Sequence, residues 1–326
     1  MAVLSLVAVS FAHRAALQRR GTAHRVVMIQ LRLNAESAAA VALARLNENT
    51  NDFDHLAEPW HTHPPLNSED WLNRDGPGMH EVQTDYRVVD EEGKLHVLLA
   101  SSEALETLGM SPLQIDGLFD WMDSDHIASA HGAESDFYLS LPTPYRAKNG
   151  PVETIEELLS IRGFSPRGFI GGDAAENGHI EPAATDGPAG ARVDDAGGRR
   201  LLGWVDVLTA HGHGQINLNT APRLVLMTLP LSDGAVAQIL SYRSFDAQSL
   251  GRLEDHAFRS VDDIQQLQGL ADADRDVLAA RCVFQSMHFR IRAESIHQPT
   301  GLRCTLHALV RIESGQTRVL QWFLEP

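Results

Sequence analysis

VVMIQLRLNAESAAAVALARL, residues 26–46, is the stretch that decides the fold. It is dense in Ala, Leu and Val and contains neither Pro nor Gly, so nothing in it interrupts a helix. Upstream, MAVLSLVAVSFA at 1–12 is uncharged and apolar, and shorter than the ~20 residues a helix needs to cross a bilayer. No basic residue precedes this run, and Arg14, Arg19, Arg20 and Arg25 follow it at once, which is not the layout of a cleaved signal peptide. The two stretches read as one long helix over 1–46, a spine. Its apolar start is expected to be the second half of a longer hydrophobic segment that begins upstream.

Outward from the spine, residues 47–77 carry Asn, Asp, His and Pro without periodicity and read as loop. Residues 86–90 and 94–100 flank Glu91, Glu92 and Gly93, a spacing that predicts a β-hairpin. Short helices are expected at 102–108, 111–122 and 154–161. The last opens on a capping box in which Thr154 accepts first-turn amides and Glu157 reaches back. Residues 165–200 are dominated by Gly, Ala, Pro and Asp and read as a flexible insertion. Strands are expected at 204–208 and 215–219, then helices over 223–282, with Ser232 and Ser260 as N-caps, Asp263 three residues past the latter, and breaks at Pro230, Gly251 and Gly269. The tail alternates apolar and polar at 289–296 and 306–313, and 317–324 closes a hairpin after Ser314 and Gly315. The sum is an α+β fold: a long N-terminal helix, a small antiparallel sheet drawn from both ends of the chain, and inserted helical modules. The expected segments are 1–46, 47–100, 101–200, 201–282 and 283–326.

At 326 residues the chain has room for more than one domain, and 43% apolar with 21% charged residues is globular composition. Its formal charge of −16 opposes nucleic acid and anionic surfaces, which are held by Lys and Arg. Cys282 and Cys304 are too few for a disulfide scaffold and lack zinc-site spacing; two buried thiols or a single bridge both fit them.

The block FDWMDSD at 119–125, followed by Gly132, Ala133 and Glu134, Tyr138 and PYRAKN at 144–149, resembles the signature of the general secretion pathway protein K family, minor pseudopilins of the type II secretion system. The resemblance continues through Glu156, Glu157, Leu158 and Gly163, INLNTAP at 216–222 and FQSMHFRIRA at 284–293, and FDHLAEPW at 53–60 and YRVVDEEGK at 86–94 sit where that family has similar segments. It implies a pilin-like fold with inserted SAM-like, helix-hairpin-helix-like modules and a prepilin N-terminus cut by a prepilin peptidase. It also implies a single-pass anchor in the bacterial inner membrane, a periplasmic body and no catalysis. The implied partners are the I, J and H minor pseudopilins at the pseudopilus tip. This sequence shows no basic leader and no glycine processing site before its apolar run, and an upstream start would supply them.

Asp123, Asp125, Glu134 and Asp136 place four carboxylates in one short segment, hard oxygen ligands that suit calcium, although the spacing is not that of an EF-hand. Helix capping and solvated charge account for the same residues. The family's association with bound calcium favours the ion. Asp120 is a further candidate that could instead face solvent. Paired carboxylates also invite a glycosidase or aspartic-protease reading, and a metal-dependent hydrolase needs a convergent cleft; no nucleophile motif accompanies them. His61 with His63, and His211 with His213, read as solvated loop histidines. The rival function is a helix-hairpin-helix DNA binder built on 216–222 and the following helices. There LPLSDG at 229–234 replaces the glycine-rich phosphate turn and Asp233 would repel phosphate, while Asn217, Asn219 and Thr220 are expected to brace the next helix.

Overall fold

The computed structural model describes residues 2–62, 66, 81–171, 202–245, 251–313 and 315–325, with side chains from Ser10 onward. Helix α1 runs unbroken over Ala2–Glu48, about 70 Å at 1.5 Å per residue. The other helices are α2 Ser102–Thr107, α3 Pro112–Met122, α4 Ser135–Leu139, α5 Pro166–Ile170, α6 Trp204–Val207, α7 Arg223–Leu226, α8 Asp233–Tyr242, α9 Val261–Gln266 and α10 Asp272–Arg281. The strands are β1 Val82–Asp90, β2 Leu95–His96, β3 Leu208–Thr209, β4 Ile216–Asn217, β5 Cys282–Val283, β6 His288–His297, β7 Leu302–Glu313 and β8 Gln316–Glu325.

The chain divides into two units, one of residues 1–50, 58–89 and 289–326, the other of 51–57 and 90–288. In the first, the sheet has the order β1-β6-β7-β8. Helix α1 lies on β7 and β8 through a stripe of Leu31, Ala35, Ala38, Ala39, Ala42 and Leu46, all buried at helical spacing. Four alanines in that stripe remove side-chain bulk and let the helix axis approach the sheet. β7 and β8 pair antiparallel from Thr305↔Glu325 to Glu313↔Gln316, with a bulge at Leu309/Val310. The expected tail strands are therefore present, but β8 is an edge that leaves Val319, Leu320, Trp322 and Phe323 exposed, so its alternation does not mark a buried face.

The second unit is helical and has its own core, which includes the fully buried Leu105, Leu108, Leu118, Tyr138, Ile155 and Trp204. Each large apolar side chain so buried contributes roughly 1.5–3 kcal/mol. Caps fix the helix starts: Ser101 for α2, Ser111 with Gln114 for α3 and Ser232 for α8, while at α9 the Asp263 carboxylate accepts the Ser260 backbone N–H at 3.1 Å. Residues 154–161 form a 3-10 turn, Ile155–Ser160, and Glu157 accepts from the Thr154 backbone N–H at 3.2 Å.

Three expectations are corrected. The hairpin at 86–100 does not form: the chain turns at 91–94, but β1 neighbours β6, and β2 pairs parallel with β3 through Leu95↔Leu208 and His96↔Thr209. The cause is burial of the turn, since Glu91 and Lys94 are 0% and 3% exposed at the side chain and pair at 2.5 Å. The stretch 204–208 is mainly the helical turn α6, with only Leu208 in a strand, because Asp206 caps the Gly203 N–H at 2.8 Å. Of the expected insertion, 166–170 is helix α5, started by Pro166 after the Ser165 cap; residues 172–200 lie outside the described residues.

Candidate calcium centre and the interior polar network

Helix α3 ends at Asp123, whose Oδ1 accepts the Asp125 N–H at 3.2 Å; Asp125 Oδ1 in turn accepts the Ile127 N–H at 2.7 Å. These two local turns fold residues 123–127 back beside the start of α4. Glu134 is the residue before α4, yet its side chain makes no capping bond. One carboxylate oxygen each from Asp123, Asp125 and Glu134 lies within 4.8 Å of the others. Asp123 and Asp125 are exposed, whereas Glu134 is 6% exposed and neither of its oxygens has a hydrogen-bond partner. Burial, then the charges of Asp123 and Asp120, push the Glu134 carboxyl above its ordinary value. An unsatisfied buried carboxylate facing two more is a costly arrangement for a fold to retain, and a hard divalent cation satisfies all three. The donor set thus fits calcium.

Of the four residues the sequence nominated, the structure brings three together. Asp136 stands outside the group, exposed in the first turn of α4, where its charge complements the helix dipole. Asp120 does not face solvent. It is fully buried, accepting the Ser129 hydroxyl at 2.6 Å and the Ser129 N–H at 3.0 Å, so it anchors the loop above α3. Gly132 sits against it, where a Cβ would stand 1.9 Å from Asp120 Oδ2. Beneath the loop, Tyr138 stacks on Tyr145 at 5.2 Å and meets Trp121 edge-on at 5.3 Å, while Arg162 donates to the Gly132 carbonyl at 3.0 Å. The carboxylate group therefore rests on a rigid base.

A second polar centre escaped the sequence reading. Asp90, 4% exposed, accepts from Thr220 Oγ1 at 2.5 Å, Ser286 Oγ at 2.7 Å and Asn217 Nδ2 at 3.1 Å. Glu91 takes Lys94 and the Thr209 hydroxyl, the latter at 2.6 Å, and Glu92 holds His288 through its N–H at 2.9 Å and Nδ1 at 2.8 Å. Burial and the Glu92 charge push Asp90 up to about 7. Asn219 accepts the Phe258 N–H and donates to the Phe258 carbonyl, each at 2.8 Å. Asn217, Asn219 and Thr220 thus tie remote segments together instead of bracing α7, whose start has no side-chain cap. Asn219 followed by Thr220 and Pro222 was the available signal, three polar or ring residues where a helix would otherwise begin.

His61 Nδ1 lies 3.2 Å from the Val88 carbonyl, and His63 is outside the described residues. The His211 N–H donates to Thr209 and the His213 ring lies 6.4 Å from that of His288; among the described residues no histidine joins a group of three metal-ligand side chains. The turn that would present amides to phosphate carries Asp233 and is pinned by Asp274, which accepts the Ser232 N–H at 3.0 Å and hydroxyl at 2.9 Å. Cys282 and Cys304 are free and buried, and burial pushes the Cys282 thiol up to about 12.

Residues 93–169 match the family model for type II secretion system protein K. Over 45 residues the chain is 50% identical to the type II secretion system protein K of Pectobacterium carotovorum subsp. carotovorum, a match that spans 14% of each protein. The fold is similar to that of a chain in the crystal structure of the GspK-GspI-GspJ complex from the enterotoxigenic Escherichia coli type 2 secretion system, with a TM-score of 0.58 and 17% identity over 94% of this chain and 99% of that one. The matched segment contains α2 to α4 and the whole carboxylate group, and it is in this segment that the chain is similar to type II secretion system protein K.

Proposed function

We propose that this protein is a minor pseudopilin of the type II secretion system that caps or initiates the periplasmic pseudopilus and works through protein contacts, without catalysis. The observation that carries the reading is the protein K match at 93–169 set in a chain whose fold runs, almost end to end, along a chain of the GspK-GspI-GspJ complex. The proposed partners are pseudopilins of the I and J types, with H below them. Helix α1 is the proposed inner-membrane anchor, entering the bilayer through its uncharged first residues 1–12 and whatever apolar chain precedes them, with the body in the periplasm. Within this reading, Asp123, Asp125 and Glu134 hold a calcium ion that ties the end of α3 to the start of α4.

The test is co-purification of the full chain with the I-type and J-type pseudopilins of the same organism, with calcium and with chelator. A stoichiometric ternary complex is expected. No complex in either condition, together with salt-sensitive binding of duplex DNA, replaces this reading with the helix-hairpin-helix one.

A further inference from the structure

The first 35 residues carry five arginines and not one Asp or Glu, in a chain whose net charge is −16. Arg32 is engaged by Glu36 at 2.8 Å, which leaves Arg14, Arg19, Arg20 and Arg25. All four are exposed on α1, and among the described residues none of them is ion-paired. At 3.6 residues per turn, Arg14 and Arg25 share one side of the helix, with Arg19 and Arg20 on two other sides, each about 100–120° from the next. The four charges therefore ring the helix over about 17 Å of its length.

That distribution selects one kind of surface. A basic helix lying flat on a membrane keeps its charges on one face and its apolar residues on the other. A ring of charge directly after the uncharged residues 1–12 instead suits a helix that passes through the headgroup layer, with phosphates on every side and arginine stems reaching along the axis. Beside the ring, a groove of about 670 Å³ is lined by Gln18, Arg19, Thr22, Gln30 and His297 over Val26 and Val27. In it Gln30 Nε2 is buried without a partner. A cation, amide and hydroxyl donors and an apolar floor match a phosphodiester with its glycerol.

We infer that Arg14, Arg19, Arg20 and Arg25 form a basic collar that seats α1 in a leaflet rich in anionic phospholipid, and that the groove beside Arg19 holds one such headgroup. The inference rests on the anchored-helix reading above. Its test is flotation of the full chain with vesicles of phosphatidylcholine alone and with phosphatidylglycerol added, at low and high salt. Partition onto the anionic vesicles is expected to exceed that onto neutral ones by about 5-fold per arginine, and to fall towards the neutral level in high salt. The variant R14Q/R19Q/R20Q/R25Q is expected to lose the preference, and the matching four-lysine variant to keep it. Equal partition onto both vesicles, a preference that survives the four glutamines, or arginine-dependent binding of duplex DNA in its place each overturns the inference. Assembly with the I-type and J-type partners is read on the same preparations. An intact complex without lipid preference removes the collar alone and leaves the proposed function standing.

Discussion

Glu134→Gln should change sign with calcium. The oxygens of Asp123, Asp125 and Glu134 lie within 4.8 Å of one another, and two unit charges at that distance repel by about 0.9 kcal/mol in water and about 3.5 kcal/mol at an effective dielectric of ~20. Glu134 faces two such charges, both on exposed residues, which puts the combined repulsion relieved by the amide near the lower figure per pair, about 2 kcal/mol. In chelator at pH 7.5, Glu134→Gln is therefore expected to melt about 4–8 °C above the wild-type protein. In calcium at ~100 times its dissociation constant, the wild type gains about 2.7 kcal/mol while the variant, missing its buried ligand, gains little. The order of the two melting temperatures then inverts. The assay is differential scanning fluorimetry of both proteins with chelator and with calcium. A variant that melts below wild type in chelator, or a wild type indifferent to millimolar calcium, refutes the reasoning.

Acidification should weaken calcium binding in titration calorimetry, because a proton and the ion compete for the raised Glu134 carboxyl. Asp90 gives an opposite trend in overall stability. Its folded value of about 7 lies above the ordinary 3.8, so its contribution is complete below pH ~4 and is lost as pH rises to about 7. Urea midpoints in chelator should fall across that window, and Asp90→Asn should flatten the slope. Gly132→Ala sets a Cβ 1.9 Å from Asp120 Oδ2, displaces that carboxylate from Ser129, and is expected to cost about 2–4 kcal/mol by chemical denaturation. Trp204→Ala, at a side chain with no exposure in the core of the second unit, should cost about 3–5 kcal/mol in the same measurement.

What the sequence revealed was local. Helix α1, the N-cap position of Ser232 and the tail strands depend on spacing within a few residues, and spacing is visible in one dimension; Asp123, Asp125 and Glu134 stand close enough in sequence to be grouped there, and the structure brings one oxygen of each within 4.8 Å of the others. The failures at 86–100 and at Asp120 share a cause, which is charge placed inside. Glu91, Glu92 and Lys94 look like a solvated turn, and only the third dimension supplies Thr209 and His288 to hold two of them in the interior. Asp120 was misplaced for the same reason, since its partner Ser129 lies beyond the end of α3. The exposed faces of β8 err in the other direction: an alternating pattern states which residues share a side, not whether anything covers that side.

The ladders also set an order of assembly. β2 and β3 are joined in parallel across more than a hundred residues of chain, and β4 waits for β5, about 65 residues further on. β1 lies beside β6, whose first residue follows the whole helical unit. Chain emerging from its N-terminus therefore presents α1 and β1 long before their sheet exists. Contacts so distant in sequence carry a heavy loop-closure cost and form late. Closure of the helical unit, which holds Asp90 beside Ser286 and Glu92 against His288, shortens the loop that β1 and β6 must span before the full sheet is laid along the spine. Until that moment the apolar stripe of α1 has no cover, so this is a protein whose first-made helix depends for its shelter on the last residues to arrive.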